Sequence, residues 1–181
     1  AIAQIVVTPI AGTIEWTNPA GWSTGRIPGG GETPQISTGI VTVTGPVSVD
    51  NINLFGGAIT NPTSANGTIT ITSTGSDWRG GTLNSSSGGT LALGIASGAN
   101  LLISTAANHD FNGSALTNSG TVNWTLGSLR SGNSGSFTIA NGGGWPHHNM
   151  HLHAGLANGG LVEYHYVSLL VCEQIFDGLA P

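Results

Sequence analysis

The feature that most constrains this chain is a short pattern that returns at a fixed interval. Segments 45–49, 67–71 and 89–93 each begin with a glycine followed by alternating apolar and small residues, and their starts lie 22 residues apart. Segments 98–102 and 120–124 repeat the pattern at the same offset. Alternation with a period of two buries one face of a strand and exposes the other. Short strands recurring every ~20 residues predict a parallel β-solenoid, whose successive coils stack on one another.

The expected fold class is therefore all-β, a parallel β-solenoid (β-helix). An antiparallel sandwich has equally short strands and is the alternative, although it does not require a fixed period. The constant offset predicts that Val47, Ile69 and Leu91 form one column of inward-facing side chains.

The composition excludes several classes of function. Only 6% of the 181 residues are charged, against roughly 25% in an average soluble domain. The chain has three arginines and no lysine, which excludes a nucleic-acid partner and a Schiff-base mechanism. Its most apolar late stretch, 161–171, is too short to span a membrane and contains Glu163. No cofactor is expected.

A change in composition near 141–144 predicts a boundary between two parts. Residues 1–141 form the repeat domain, and residues 142–181 form a His-rich C-terminal segment that contains five of the six histidines and the only cysteine, Cys172. This segment has no Gly-Thr repeat, and a helix is one conformation considered for it. We expect it to cap the solenoid or to mediate assembly, with 161–176 as a surface for self-association because this stretch is strongly apolar.

Residues 16–29, WTNPAGWSTGRIPG, resemble the lead-in of large secreted bacterial β-strand-repeat proteins. Segments 41–44, 78–83 and 116–124 are similar to later parts of the same proteins, so the resemblance covers about 14–141. It implies an adhesin-like, structural module, secreted or at the bacterial cell surface, with no catalytic residues. The beginning of the chain lacks a basic, apolar leader and is interpreted as a mature end.

The tail, about 145–177, resembles a C-terminal fragment of mandelate-racemase-type enzymes of the enolase superfamily. The resemblance is carried by 146–164 and would make Glu163 the functional glutamate. Near Gly143 the chain has only glycine where that family has its catalytic histidine. The barrel strands that carry the family's magnesium ligands and base lysine are absent, since a (β/α)₈ barrel needs about 200 residues or more. We therefore expect no racemase or dehydratase activity.

Four histidines form the densest set of possible metal ligands. In a helix, His147 and His151 would share a face, and in a strand His151 and His153 would do so. The fourth histidine, His148, directly follows His147. Either pair could bind Zn²⁺, Ni²⁺ or Cu²⁺, with Glu163 or Cys172 as further ligands. The alternative is an ordinary polar surface segment.

Alternating threonines form two candidate surface-binding rows, Thr42/Thr44 and Thr68/Thr70/Thr72. Regular threonine arrays on a flat sheet are typical of ice-binding solenoids, but exposed strands use β-branched residues in any case.

The remaining polar residues give little support to catalysis. Glu15, Glu32, Asp50 and Asp77 are scattered, whereas a glycosidase needs two facing carboxylates. The neighbours His109 and Asp110 would lie on opposite faces of a strand.

The tryptophans Trp16, Trp22, Trp78 and Trp124 could stack on sugar rings, but we interpret them as core residues, the first two closing the N-terminal end. The preferred function is a non-catalytic structural or adhesive module with a carbohydrate or cell-surface ligand. A carbohydrate-binding or carbohydrate-cleaving β-helix is the alternative.

Overall fold

The computed structural model describes residues 5–10, 12–62, 64–86 and 88–139, together with the backbone of two later strands. The strands are β1 Ile5–Val7, β2 Thr13–Glu15, β3 Glu32–Ile36, β4 Ile40–Thr42, β5 Pro46–Val49, β6 Asn53–Leu54, β7 Ala58–Thr60, β8 Gly67–Ile71, β9 Thr74–Trp78, β10 Thr82–Asn84, β11 Leu91–Ile95, β12 Asn100–Ile103, β13 Asn108–Asn112, β14 Ala115–Asn118, β15 Thr121–Trp124, β16 Ser128–Ser131, β17 Ser136–Ile139, β18 Met150–Gly155 and β19 Leu161–Tyr166. A single 3₁₀ turn, Pro19–Gly21, is the one helical element in this described part. The described residues contain no helical segment of the length and apolarity needed to cross a membrane.

The strands form three sheets that the chain visits in rotation. Sheet 1 has the order β1-β3-β6-β9-β12-β15, sheet 2 the order β2-β4-β7-β10-β13-β16-β18-β19, and sheet 3 the order β5-β8-β11-β14-β17. Every strand pairs in parallel with its neighbours except β18 with β19, which is antiparallel. From β1 to β18, sequential strands lie in different sheets, so each coil stacks on the preceding one. The predicted β-solenoid is confirmed, with about six turns.

The coils are not of constant length, and one predicted column is therefore wrong. Val47 pairs with Ile69, but Ile69 pairs with Leu93, and Leu91 lies beside Gly67. The offset grows from 22 to 24 residues because the corner between sheets 3 and 1 lengthens. In one coil, three residues (50–52) connect Val49 to Asn53. In the next coil, five residues (72–76) connect Ile71, the partner of Val49, to Asp77, the partner of Asn53.

Three of the five recurring glycines, Gly67, Gly89 and Gly120, lie where the backbones of successive coils approach closely, whereas Gly45 and Gly98 have open space at their Cβ positions. A Cβ atom on Gly67 would lie 2.4 Å from the carbonyl oxygen of Val43, and one on Gly89 would lie 2.1 Å from that of Ala65. Real side chains do not tolerate such contacts, so only glycine fits these corners. At these positions the repeated glycine reflects coil stacking.

One continuous apolar core runs through the coils, because alternate residues of each strand point inward. At the N-terminal end, residues 18–23 fold back on 8–10: Ile10 N–H donates to the Gly21 carbonyl (2.9 Å), and Ser23 N–H donates to that of Thr8 (2.8 Å). Trp22 is buried there and donates its indole N–H to the Trp16 carbonyl at 2.9 Å. This arrangement confirms that the two tryptophans close the first coil.

In the C-terminal segment, the structure describes only the backbone at 150–155 and 161–166. Both stretches are strands, so a helix is wrong for these residues. Strand β18 adds to the end of sheet 2, with Arg130 paired to His153 and Ser131 to Ala154. Strand β18 thus extends sheet 2. The predicted boundary at 141–144 lies outside the described residues.

Candidate interaction faces

The outer face of sheet 3 is built entirely of small, uncharged residues. Two columns run along it: one is Pro46, Thr68, Ala92, Ala115 and Ser136, and the other is Ser48, Thr70, Gly94, Thr117 and Thr138. Short side chains in straight rows make a face with little relief. We call these ten positions the sheet 3 face.

Two of the five candidate threonines belong to this face. Thr68 and Thr70 lie on β8 in adjacent columns, and Thr72 follows the strand, donating to the Val49 carbonyl at 3.1 Å. The columns are interrupted by alanine and glycine at Ala92 and Gly94. The ice-binding alternative depends on a regular threonine array and gains no support from this arrangement.

The other two threonines lie elsewhere and are already engaged. Thr42 is on β4 in sheet 2, and its hydroxyl donates to Glu15 Oε2 at 2.5 Å. Thr44, in the following corner, donates to Glu15 Oε1 at 2.9 Å. The row Thr42/Thr44 thus lies in a different sheet from Thr68 and Thr70, and its two hydroxyl groups together bind one carboxylate from the preceding coil.

Each of the three arginines is paired with an acidic side chain. Arg26 contacts Glu32 at 2.5 Å, and Arg79 contacts Asp77 at 2.6 Å. Arg79 also covers the Phe55 ring, 4.5 Å from its centroid. Together with the pair described next, each arginine is therefore neutralised locally.

The third pair joins two coils. Arg130 donates from Nε to Asp110 Oδ1 at 2.7 Å and from Nη2 to Oδ2 at 2.8 Å, a bidentate arrangement. This hydrogen bonding with Asp110 raises the pKa of Arg130. The two residues are register partners on β13 and β16, twenty positions apart, and no sequence motif marked them as a pair.

The two remaining acidic side chains of the described part are also engaged. Glu15 accepts from the threonines named above, and Asp50 accepts from Gly31 N–H at 2.8 Å. All five acidic side chains of residues 5–139 thus have internal partners. The scattered acids of the sequence do not assemble into a facing pair of uncommitted carboxylates in this range.

His109 and Asp110 are separated as predicted, since His109 is fully buried and Asp110 faces outward. The imidazole packs edge-on against Trp78, with ring centroids 5.3 Å apart, and its Nε2 is 3.3 Å from the Thr105 hydroxyl. Burial lowers the pKa of His109 below its usual value, outweighing the nearby carbonyl groups and Asp110. His109 therefore belongs to the core.

The tryptophans are core residues as well. Trp16, Trp22, Trp78 and Trp124 are each no more than 3% exposed. Trp78 and Trp124 occupy inward positions of sheet 1, in register with Leu54 and Ile103 respectively. None of the four presents a free ring to a sugar, so the interpretation as core residues is confirmed.

The predicted histidine cluster is only partly within the described chain. His147 and His148 lie outside it, while His151 and His153 occupy alternate positions of β18. Among the side chains that the structure does describe, no three His, Cys, Asp or Glu residues lie close enough to hold a metal ion.

Parallel stacking and three long faces define this chain as a β-solenoid. No family model, no curated protein and no solved structure matches it.

Proposed function

We propose that this chain is a structural or adhesive β-solenoid module of a secreted or cell-surface bacterial protein. The observation that carries the proposal is the sheet 3 face, ten small and uncharged positions in two straight columns. Such a face suits contact with another extended surface better than the enclosure of a small molecule.

The dimensions of this face favour many weak contacts acting together. Strands in a sheet are about 4.8 Å apart, so five strands present a face about 19 Å long. Thr70, Thr117 and Thr138 offer hydroxyl groups along one column. Each contact is weak alone, but repeated contacts to one surface raise the overall affinity strongly. A polysaccharide or a bacterial cell envelope offers repeated hydroxyl and amide groups of this kind.

The pairing of charges supports a non-catalytic role. A glycosidase needs one carboxyl group as acid and a second as base or nucleophile, with both free to reach the sugar. Here Glu32, Asp77 and Asp110 are held by arginines, and Glu15 and Asp50 by hydroxyl or amide donors. These carboxylates act within the fold, where they fix loops and neighbouring coils.

The test is a sedimentation assay with insoluble polysaccharides and with whole bacterial cells. The double variant Thr70→Lys/Thr117→Lys introduces bulk and charge into the sheet 3 face. The matched control, Asn53→Lys/Asn123→Lys, makes the same change on the outer side of sheet 1. We expect the native chain and the control to bind at least one of these surfaces and the sheet 3 variant to lose about tenfold in affinity.

Equal binding by both variants, with unchanged circular dichroism, would overturn the assignment of the sheet 3 face. Absence of binding to every surface would overturn the adhesive role. Release of new reducing ends from the polysaccharides would instead establish the carbohydrate-cleaving alternative.

A further inference from the structure

Arg79 differs from the other two arginines in how its guanidinium group is held. Arg26 and Arg130 each use a terminal amino group, Nη2, to contact an acidic side chain. Arg79 donates from Nε alone, to Asp77 Oδ2 at 2.6 Å. Within the described residues, its two terminal amino groups have no hydrogen-bond partner. The end of this side chain is therefore available to a ligand.

The guanidinium group of Arg79 is nevertheless fixed in place. Its Cζ atom lies 4.5 Å from the centroid of the Phe55 ring, and Asp77 holds its Nε. The backbone of Arg79 is held as well, since its N–H donates to the Leu54 carbonyl at 2.8 Å and its carbonyl accepts from the Thr105 hydroxyl at 2.6 Å. A long side chain that is already ordered loses less entropy on binding. Arg79 is thus preorganised for a ligand.

The ion pair of Asp77 and Arg79 has its positive end toward solvent. The side chain of Asp77 is 11% exposed, whereas that of Arg79 is 54% exposed. Glu32 begins β3 and Asp50 precedes β6, so these two acids lie at the opposite edge of sheet 1 from Arg79, which follows β9. Asp110 belongs to sheet 2 and is already paired. An anion approaching this corner from solvent therefore meets the guanidinium group first.

Hydroxyl groups continue from Arg79 along the outer side of sheet 1. Leu102 pairs with Asp77, and continuing this register by two residues places Ser104 beside Arg79. The pairing of β12 with β15 then places Thr125 next in the same column. Adjacent strands are about 4.8 Å apart. A ligand lying along the column would meet the two amino groups first and then two hydroxyl groups.

We propose that Arg79 binds the carboxylate groups of an acidic polysaccharide, a polyuronate, with Ser104 and Thr125 contacting sugar hydroxyl groups. The planar guanidinium group presents its amino groups in a geometry that matches the two oxygens of a carboxylate. The proposal is independent of the adhesive role of the sheet 3 face, because it concerns a different part of the solenoid and a charged ligand. The variant Thr70→Lys/Thr117→Lys leaves these residues intact, so the two proposals fail separately.

The experiment is an NMR titration of the full-length, untagged, isotope-labelled chain with soluble oligogalacturonate at low salt. We expect saturable binding that weakens tenfold or more in Arg79→Gln, because two charge-assisted hydrogen bonds are lost. Arg79→Lys should weaken binding to a similar extent, because an ammonium group cannot contact both carboxylate oxygens in this geometry. Phe55→Leu should weaken it severalfold, because the guanidinium group loses its aromatic support.

The controls separate recognition of a carboxylate from general attraction of charge. Arg130→Gln removes the same charge from an arginine that is already in a bidentate contact, and it should change the affinity less than about twofold. Methyl-esterified oligogalacturonate has the same sugar rings without the charge and should show no saturable binding.

Arg79→Gln leaves the buried carboxylate of Asp77 without its arginine, so a second variant is needed. Asp77→Asn/Arg79→Gln removes both charges and should lose as much affinity as Arg79→Gln. Circular dichroism of every variant separates loss of the site from loss of the fold.

Four results would overturn the site. The first is the absence of saturable binding by the native chain, and the second is equal binding of the methyl ester. The third is unchanged affinity in a folded Asp77→Asn/Arg79→Gln variant, or an equal loss in Arg130→Gln. The fourth is binding of inorganic sulfate or phosphate as tight as that of the oligogalacturonate, which would reduce the site to a general anion contact.

Discussion

Arg130 and Asp110 are register partners in adjacent coils and form a bidentate ion pair on the outer side of sheet 2. The pair links β16 to β13 by side chains in addition to the backbone ladder. The described part of the chain carries few charges and has only three ion pairs, of which this contact is one.

The first prediction concerns the strength of this pair. A double-mutant cycle with Arg130→Gln and Asp110→Asn should give a coupling free energy of about 0.5–1 kcal/mol, because the arginine is half exposed and solvent screens it. Urea unfolding of the four proteins measures the coupling, which should decrease in 1 M salt. A coupling above about 2 kcal/mol, or one insensitive to salt, would contradict a solvent-screened pair.

The second prediction is a pH dependence due to His109. Burial lowers the pKa of this imidazole in the folded state, so the unfolded chain binds more protons below about pH 6.5. Stability from this residue should be complete above that pH and decrease as the pH falls, by at most ~1.4 kcal/mol per pH unit. The nearest charged group is Asp110, which Arg130 holds on the opposite face.

Urea unfolding of the native chain and of His109→Gln between pH 5 and 8 provides the measurement. All other groups are common to both proteins, so the difference between the two curves isolates His109. A difference that stays constant over this range would show that the imidazole is not the titrating group.

The third prediction compares two glycines with positive φ. Gly57 has φ 66°, and a Cβ there would lie 2.6 Å from the Gly39 carbonyl oxygen. Gly98 has φ 81° with no atom within 4 Å of its Cβ position. Gly98→Ala should cost about 1 kcal/mol, from the backbone conformation alone. Gly57→Ala should cost roughly 2–4 kcal/mol, because the neighbouring coil must also move. Equal losses in thermal unfolding would mean that the coils separate easily at this corner.

The fourth prediction tests the register of sheet 3 directly. In a Cys172→Ser background, Thr70→Cys/Gly94→Cys should oxidise to a disulfide, because these register partners lie on adjacent strands about 4.8 Å apart. Thr70→Cys/Ala92→Cys has the constant 22-residue offset but lies diagonally, about 8 Å apart, and should not form one. Thiol titration after mild oxidation distinguishes the pairs. Preferential oxidation of the second pair would restore the constant offset.

The fifth prediction concerns the C-terminal segment. Ending the chain after Gly144 removes β18 and β19 and leaves β16 as the last strand of sheet 2. An unpaired parallel strand recruits other strands, so we expect a lower melting temperature and changed self-association. Analytical ultracentrifugation and thermal unfolding measure both. Behaviour identical to that of the full chain would show that the segment neither caps the solenoid nor mediates assembly.

Much of the fold could be predicted because its signals are local. Alternation of apolar and polar residues determines which side chains of a strand are buried, whatever the strand pairs with. Leu91 and Leu93 are both in the core for this reason. The same local argument placed Trp78 inside and separated His109 from Asp110.

The register between coils could not be predicted from the repeat. Corners of different length can connect the same strands, and each added residue shifts every later partner. The two extra residues at 72–76 moved Leu93 into the column expected for Leu91.

The sequence by itself determined the class of fold, the buried faces of the strands and the neutral character of the surface. Only the tertiary structure decided which residues meet across coils, such as Arg130 with Asp110 and Thr42 with Glu15. The physical reason is that burial follows from each strand's own alternation. Pairing between coils depends on the summed lengths of three corners. Backbone contacts in the assembled solenoid determine those lengths.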